Sequence, residues 1–383
     1  MQNTQYVHFP DLMSKQNTEA LLISSVPNII YLTGYAGFSS LEREAYLLIT
    51  RNNQYIFTDG RYVTAVKREI SNFTLLEIKG EKTFVRLLRD VCRKEKLEII
   101  GFEAENLSVS EYVKIKKVVK KMKAVSLRNI RVTKNPDEIK KIKKACDLAV
   151  LMYQYITTKI KVGVTEKEIA VQMEIFIKQK GAELSFPTIV AFGGNAAVPH
   201  HLTSDKRLTT NNWVLIDFGV KYKNYSSDMT RTMFFGKATA EQKKMYQTVL
   251  KSQQEAVKFL NQEFRSKNYG KKTKSSNRPL YHKLTYDTHK IKASDVDKVA
   301  RDYIISQGYP TIPHSVGHGI GIEIHEAPTL SPNSKDILEE GRVFSIEPGI
   351  YIPNVGGVRI EDLFVIQKNQ LVQLTNNSSS KTI

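Results

Sequence analysis

Residues 213–235, WVLIDFGVKYKNYSSDMTRTMFF, constrain the fold of this chain more than any other stretch. Their pattern predicts a β-hairpin, with an apolar strand 213–220, a short turn, and a second strand 226–235 in which polar and apolar residues alternate. Asp217 interrupts the apolar strand, where an unpaired charge is costly. Asp228 lies in the second strand, so the hairpin can bring two carboxylates together.

Two interpretations of this carboxylate pair stay open from the hairpin alone. Close carboxylates repel each other unless a cation or a proton lies between them, which favours a metal site. Alternatively, the second strand has one solvated face and Asp217 is satisfied by a local partner. Asp228, Thr230 and Thr232 share a face of the second strand, because side chains alternate along a strand.

The composition is that of a folded protein, with 41% apolar and 9% aromatic residues in 383. Cys92 and Cys146 are far apart and show no metal-binding spacing, which fits a reducing compartment. We find neither a signal-peptide pattern near the start nor a run of 18 apolar residues, so we expect a cytoplasmic protein without a membrane span.

The chain is strongly basic, with 57 Lys and Arg against 39 Asp and Glu, a formal charge of +18. Such an excess raises nucleic acid or an anionic membrane as a partner. Most of the charge is scattered lysine, so we expect no specific nucleic-acid binding. Residues 263–292 hold nine basic and two acidic residues with little apolar periodicity, which predicts a flexible basic surface insertion.

The first third of the chain alternates strands with helices, which predicts a small α/β domain over residues 1–128. A second domain, 129–383, begins with the linker 128–136 and a long helix to about residue 160. The other predicted strands are 20–24, 45–50, 54–59, 73–78, 97–102 and 188–192. The other predicted helices are 82–96, 108–122, 239–261 and 294–307. Thr165–Glu168 has the sequence of a capping box, which predicts the start of a further helix.

Four further motifs place polar side chains in apolar surroundings. They are VPHH (198–201), HSVGHGIG followed by HE (314–326), IEPGIY (346–351) and GGVRIED (356–362). His318 lies between glycines, which let the backbone approach an ion closely. Glu347 follows an apolar run and so stands at a strand end. Arg359 and Glu361 are two residues apart on a predicted strand and would share a face.

Acidic residues on three strands with one imidazole form an oxygen-rich set of ligands. Such a set suits Mn²⁺, Co²⁺ or Fe²⁺ better than a structural zinc, which favours Cys and His. Four carboxylates carry a charge that two divalent ions neutralise. This balance predicts a two-metal site with a bridging hydroxide as nucleophile.

These motifs, in this order, resemble the creatinase/prolidase/aminopeptidase P family, the pita-bread metallopeptidases of family M24. The resemblance covers nearly the whole chain. It implies an α/β (α+β) protein, in which a small creatinase/prolidase-like domain precedes a pita-bread catalytic domain with a mostly antiparallel, curved sheet covered by helices. By analogy with the family, it also implies a homodimer.

The resemblance also implies roles for individual residues. It implies five metal ligands: Asp217, Asp228, His318, Glu347 and Glu361. Asp228 and Glu361 would bridge two ions, with Mn²⁺ as the first candidate and Co²⁺, Fe²⁺ or Zn²⁺ as alternatives, and Glu347 would also be the general base. His200 and His325 would contact the scissile amide. His314, Arg359 and Tyr351 would bind or orient substrate, while His201 would point outward or support the site from behind.

The function that follows is a metal-dependent exopeptidase acting before proline on short peptides. We favour an Xaa-Pro aminopeptidase over the alternative, an Xaa-Pro dipeptidase (prolidase). Three further hypotheses are weaker. A methionine aminopeptidase is disfavoured by the N-terminal domain and by VGGVRIED, and a metal-free creatinase-like hydrolase or a non-catalytic binding module would be expected to lack the ligands.

Overall fold

The computed structural model describes residues 9–269 and 290–376. The chain forms two compact units, Met1–Arg131 and Val132–Ile383. The sequence placed the division after residue 128, at the start of a 3₁₀ helix that spans Arg128–Arg131.

The first unit alternates short strands and helices. Its helices are α1 Phe9–Gln16, α2 Val26–Thr33, α3 Val63–Glu69, α4 Phe84–Lys94 and α5 Val109–Lys116. Its strands are β1 Ala20–Ile23, β2 Ala45–Thr50, β3 Gln54–Asp59, β4 Thr74–Ile78, β5 Ile99–Glu103 and β6 Lys121–Val125.

These strands form one mixed sheet in the order β4-β3-β2-β1-β5-β6. The central pairs β1–β2 and β2–β3 are antiparallel, whereas the outer pairs are parallel. Crossover helices link the parallel strands, as such connections require. The core between sheet and helices includes Leu22, Leu48, Phe57 and Leu88.

The predicted helix 108–122 is wrong in its second half. Ser108 caps the helix with a capping box to Glu111, as its sequence suggests. The helix ends at Lys116, and residues 121–125 form β6, the edge strand of the sheet. Alternating Lys and apolar residues there have the period of a strand, and parallel pairing with β5 outweighs their helix propensity.

The second unit combines longer helices with short strands. Its helices are α6 Pro136–Thr157, α7 Glu166–Gln179, α8 Ala240–Tyr269 and α9 Ala293–Ser306, with a 3₁₀ helix at Gly193–Ala197. Its strands are β7 Glu183–Leu184, β8 Ile189–Phe192, β9 Asn212–Phe218, β10 Val220–Tyr222, β11 Tyr225–Ser226, β12 Met229–Phe235, β13 Ile291–Lys292, β14 Gly317–Gly319, β15 Glu326–Leu330, β16 Ile337–Leu338, β17 Val343–Ile346, β18 Gly349–Ile352, β19 Gly356–Arg359, β20 Asp362–Gln367 and β21 Gln370–Gln373.

All strand pairs within the described part of this unit are antiparallel. The larger sheets have the orders β12-β9-β8, β11-β10-β7 and β15-β14-β17-β20-β21. One buried cluster packs α8 and α9 against β17, β19 and β20, and a second packs α6 and α7 against β8 and β9. Two helical layers therefore hold the strands that carry the conspicuous carboxylates.

Two predictions about this unit need correction. The hairpin of residues 213–235 is divided into two pairs, β9–β12 and β10–β11, that belong to different sheets. The helix expected to end at residue 261 continues to Tyr269, so the first residues of the expected basic insertion are helical. Residues 270–289 of that insertion lie outside the described part of the chain. Over the described residues, the helices are too short or too polar to cross a membrane.

Candidate active site

The break in the long hairpin places Asp217 and Asp228. Asp217 is in β9, directly opposite Thr230 of β12. Asp228 precedes β12, just after the irregular residue Ser227. The break depends on Gly219, because a Cβ there would lie 2.1 Å from the carbonyl oxygen of Ser227. Ser227 in turn bonds to Val220 through its hydroxyl, so the fold of the bend is fixed locally.

Strands β14 and β17 bring His318 and Glu347 together, since His318 lies in β14 and Glu347 directly follows β17. His318 Nε2 lies 3.2 Å from Glu347 Oε1 and 3.7 Å from Asp228 Oδ2. The hydroxyl of Ser345 joins both residues, since it accepts from the backbone N–H of His318 and donates to Glu347 Oε1, each over 3.0 Å. Gly317 permits the approach, because a Cβ there would lie 2.0 Å from the Ser345 carbonyl oxygen.

Glu361 joins this group from a third direction. Asp228, His318 and Glu361 each offer a ligand atom within 4.8 Å of the other two. Arg359 and Glu361 were expected on one continuous strand, which is wrong: β19 ends at Arg359 and β20 begins at Asp362. They still meet at Thr230, whose hydroxyl donates to Glu361 Oε2 over 2.8 Å and accepts from Arg359 Nε over 3.1 Å.

The electrostatics of the cluster show mutual repulsion between buried carboxylates. Burial and the charges of Glu361 and Asp217 raise the pKa of Asp228 far above its usual range. Burial and the charge of Glu347 do the same to the pKa of Glu361. Burial opposes the charged forms of His318 and Glu347, but their mutual hydrogen bond and attraction raise the pKa of His318 to about 9 and lower that of Glu347 to about 2.

A hydrogen-bonded chain runs along one side of the cluster. Arg359 Nη2 donates to Asp217 Oδ2 over 2.6 Å, and its Nη1 donates to the Tyr351 hydroxyl over 2.8 Å. That hydroxyl is also 2.8 Å from His314 Nε2, while His314 Nδ1 is 2.7 Å from the Ser315 carbonyl oxygen. A carbonyl can only accept, so Nδ1 carries the proton and Nε2 accepts from Tyr351. Burial lowers the pKa of His314, which agrees with a neutral ring.

His200 and His325 occupy exposed positions. The ring of His325 meets that of His318 edge-on, with centroids 4.3 Å apart. Burial and the nearby rings of His318 and His200 lower the pKa of His325, so His200 lies close enough to disfavour a charge on His325. The next residue in the chain, Glu326, is anchored by a buried ion pair with Lys134 over 2.7 Å.

His201 was expected to point outward or to support the site from behind, and the outward alternative is wrong. Its Nε2 lies 2.8 Å from Oε2 of Glu166, a fully buried carboxylate at the start of α7. Glu166 also accepts from Ser204 through both N–H and hydroxyl, from the N–H of Phe192, and from the amide of Asn195. One carboxylate thus organises the segment that carries His200.

Sequence reasoning missed several residues that support this cluster. Glu166 was taken only as part of a capping sequence, and nothing local shows that its side chain turns inward. Ser345 interrupts an apolar strand, which was an available signal. Gln253 lies in the middle of a helix, and only the tertiary fold places its amide beside the cluster.

The donor set fits divalent metal ions. Three buried carboxylate oxygens in the cluster, Asp217 Oδ1, Asp228 Oδ1 and Glu361 Oε1, lack a hydrogen-bond partner within residues 9–269 and 290–376. An unpaired buried carboxylate oxygen is costly, and bound divalent ions would provide partners for these oxygens. Carboxylates with a single imidazole also match the preferences of Mn²⁺ and similar ions.

Comparison with known proteins agrees with this chemistry. The model of metallopeptidase family M24 matches residues 140–276 and 285–368, and that of the creatinase/prolidase N-terminal domain matches residues 8–132. The chain belongs to metallopeptidase family M24. Membership implies divalent metal ions and a hydrolase, and it confirms the predicted fold: an α/β protein with a creatinase-like domain followed by a pita-bread domain.

Several relatives of this M24 protein carry names of proline-specific enzymes. It is 34% identical over 370 residues to an Xaa-Pro dipeptidase from Pyrococcus horikoshii, covering 95% of each chain. Among solved structures, an Xaa-Pro dipeptidase from Bacillus anthracis superposes with a TM-score of 0.83 at 29% identity, covering 96% of this chain and 95% of that one. An X-Pro aminopeptidase from Thermotoga maritima gives 0.79 at 31% identity, covering 96% and 98%. These names favour the dipeptidase alternative over the aminopeptidase.

Proposed function

We propose that this M24 metallopeptidase is an Xaa-Pro dipeptidase, which hydrolyses the bond between an amino acid and the proline that follows it. The substrate assignment is supported by the 34% identity with an Xaa-Pro dipeptidase along 95% of both chains. The metal-dependent chemistry is supported by the meeting of Asp228, His318 and Glu361 within 4.8 Å.

In this proposal Asp217, Asp228, His318, Glu347 and Glu361 hold two divalent ions, with Mn²⁺ as the first candidate and Co²⁺, Fe²⁺ or Zn²⁺ as alternatives. Such ions supply an activated water nucleophile at neutral pH and polarise the scissile carbonyl group. The cluster itself contributes four carboxylates and one imidazole on five separate backbone segments, which are held by Thr230, Ser345 and Arg359.

Proton transfer is assigned to Glu347. In the metal-free protein, the hydrogen bond and charge of His318 outweigh burial and lower the pKa of Glu347 to about 2, so the carboxylate is ionised at neutral pH and available as a metal ligand. The amine leaving group needs a proton, and the same carboxylate can return it. The hydroxyl of Ser345, 3.0 Å from Glu347 Oε1, keeps this carboxylate oriented.

Substrate contacts are assigned to His200, His325, His314, Tyr351 and Arg359. The exposed rings of His200 and His325 can donate to the oxygen of the scissile amide as negative charge develops on it. His314, which is neutral, and Arg359 are both hydrogen-bonded to the hydroxyl of Tyr351. We assign these three side chains to positioning the proline side of the substrate.

The second candidate is an Xaa-Pro aminopeptidase, which accepts longer peptides. The Thermotoga maritima X-Pro aminopeptidase, at 31% identity and a TM-score of 0.79, supports it. Hydrolysis of Ala-Pro and of Ala-Pro-Ala by metal-stripped protein supplied with Mn²⁺ separates the two. Cleavage of the dipeptide alone is expected, and cleavage of both at similar rates would establish the aminopeptidase. Failure to cleave either with any divalent metal would overturn both.

We further propose a cytoplasmic homodimer that binds neither nucleic acid specifically nor membranes. Both cysteines are buried and unpaired, which fits a reducing compartment.

Light scattering of the full chain tests whether the protein is a homodimer, and a monomer at micromolar concentration would contradict this proposal. A steep loss of nucleic-acid binding with added salt would show that the basic charge serves a nucleic-acid partner instead.

A further inference from the structure

Gln253 lies on α8 with its side chain 2% exposed, directly behind the candidate metal ligands. Its Nε2 is 3.0 Å from the carbonyl oxygen of Ile346, 3.3 Å from that of Ile360 and 3.2 Å from Asp362 Oδ2. All three partners are acceptors, so the NH₂ end of the amide must face them. The orientation of this side chain is therefore determined by its surroundings.

The two carbonyl groups belong to the residues that immediately precede Glu347 and Glu361. The β17–β20 ladder has Ile346 opposite Asp362 as its last pair, so Glu347 and Glu361 are the first residues beyond the end of the ladder. There the two backbones part. The N–H of Glu347 donates to the carbonyl oxygen of Val316, just before β14, and the N–H of Glu361 donates to that of Thr230 in β12. The Gln253 amide links the two segments at this point of divergence.

A buried ion pair supports the amide. Arg231 Nη2 lies 2.6 Å from Asp362 Oδ1, and both side chains are at most 2% exposed. Arg231 Nη1 also donates to the carbonyl oxygens of Glu361 and Thr230. The hydroxyl of Thr375 donates to Asp362 Oδ1 over 2.8 Å. The carboxylate that faces Gln253 is thus fixed and neutralised, so the amide has little freedom to move.

We propose that Gln253 is a positioning residue that sets the separation of Glu347 and Glu361 and thereby the affinity of the site for divalent metal. The inference rests on the proposed function and adds to it a residue outside the ligand set. Residues that orient metal ligands change metal affinity by roughly 10- to 100-fold when mutated. The same magnitude is expected here, because one side chain fixes the peptide units next to two ligands.

The test is the affinity for Mn²⁺ of metal-stripped protein, measured by isothermal titration calorimetry. Gln253→Met keeps the length of the side chain but removes the donor, and we expect its Kd to rise roughly 10- to 100-fold. Ser252→Ala is the matched control. Ser252 is the preceding residue on α8, is fully buried, and donates to the Ala300 carbonyl oxygen over 2.8 Å, away from the ligands. Its loss should lower the melting temperature and leave the Kd unchanged.

Gln253→Ala provides a second variant should Gln253→Met fail to fold. Gln253 lines a groove of about 390 Å³, so truncation of its side chain adds space that water can enter from the groove. A raised Kd for this variant supports the proposal. A wild-type Kd in either folded variant overturns it and leaves the proposed function intact. If neither variant folds even with saturating Mn²⁺, Gln253 serves stability alone, and the proposal fails. Wild-type protein that binds no divalent metal overturns the proposed function itself.

Discussion

Arg359 and Asp217 form an ion pair in which Nη2 lies 2.6 Å from Oδ2, with the side chains 4% and 14% exposed. The other oxygen of the same carboxylate, Oδ1, is one of the buried oxygens that lack a partner within the described residues. Asp217 therefore has one oxygen held by the protein and the other left for a ligand. The same guanidinium contacts Thr230 and Tyr351, so it links the metal ligands to the proposed substrate contacts.

Replacing Arg359 by lysine tests this link. Lysine keeps the charge but cannot hold Asp217, Thr230 and Tyr351 together, because it lacks the planar array of donors. We expect Arg359→Lys to lower kcat/KM for Ala-Pro roughly 10- to 100-fold, which corresponds to about 1.4–2.7 kcal/mol of transition-state stabilisation. Arg342→Lys is the control, since Arg342 forms a long ion pair of 3.5 Å with exposed Glu339. Equal effects of the two substitutions would contradict the assignment.

The stability of the metal-free protein should depend on pH in a defined direction. Burial and neighbouring carboxylates raise the pKa of Asp228 and of Glu361 in the folded state. Burial would lower the pKa of His318, but the hydrogen bond and charge of Glu347 outweigh burial and raise it to about 9. Groups with a raised folded pKa stabilise the protein below their unfolded pKa, and this stabilisation is lost as the pH rises. We expect the free energy of unfolding in EDTA to fall from about pH 7 to about pH 9, above the range in which the lowered pKa values of His314 and His325 act in the opposite direction.

Two comparisons make this pH prediction decisive. Asp228→Asn removes one of the repelling charges and should flatten the dependence. Saturating Mn²⁺ should reverse it, because metal binding is favoured by deprotonated ligands. Chemical unfolding monitored by circular dichroism provides the measurement. A metal-free stability that rises with pH in this range would show that the carboxylates are not forced together as described.

The backbone next to His318 is packed so closely that adding one methyl group, as in Gly319→Ala, should have a measurable effect. A Cβ on Gly319 would lie 2.1 Å from the Ala327 carbonyl oxygen, so β14, which carries His318, would have to move away from β15. We expect Gly319→Ala to lower the free energy of unfolding by about 1–3 kcal/mol and to weaken Mn²⁺ binding. Gly194→Ala is the control, since its Cβ would meet nothing within 4 Å. Unchanged metal affinity in Gly319→Ala would contradict this account of His318.

Glu166 should act on catalysis without touching the substrate. It fixes residues 192–204 through His201, Ser204, Asn195 and Phe192, and this segment includes His200. We expect Glu166→Gln to lower the free energy of unfolding by about 1.5–3 kcal/mol, the usual range for hydrogen bonds to a charged group. The kcat for Ala-Pro should fall while Mn²⁺ affinity stays unchanged. Glu168→Gln, in the exposed capping box of the same helix, should change kcat little.

Much of this site could be predicted from the sequence, because strand alternation and local composition are visible in residues that are close together along the chain. Asp217 within an apolar strand, His318 between glycines, and Glu347 at a strand end could all be predicted in place. Alternation also predicted a shared face for Asp228 and Thr230 on one strand, but Asp228 lies just before β12, outside the strand. What alternation cannot show is the break at Gly219, since it arises from a contact with Ser227 eight residues later.

The supporting residues depend on contacts distant in sequence, and for that reason local patterns miss them. Gln253 meets Ile346 and Ile360, which are 93 and 107 residues away. Glu166 meets His201, 35 residues away. The edge strand at residues 121–125 follows the same rule, because its pairing with β5 and not its own propensity decides its structure.

The metal content of the cluster tests the central claim most directly. Metal-stripped protein is dialysed against Mn²⁺, and bound metal is counted per chain by mass spectrometry for the wild type and for Asp228→Asn. The account predicts two ions per chain in the wild type, a loss of metal in Asp228→Asn, and Ala-Pro hydrolysis that increases with occupancy. A wild-type protein that retains no metal, or an Asp228→Asn variant that retains both ions and full activity, would contradict it.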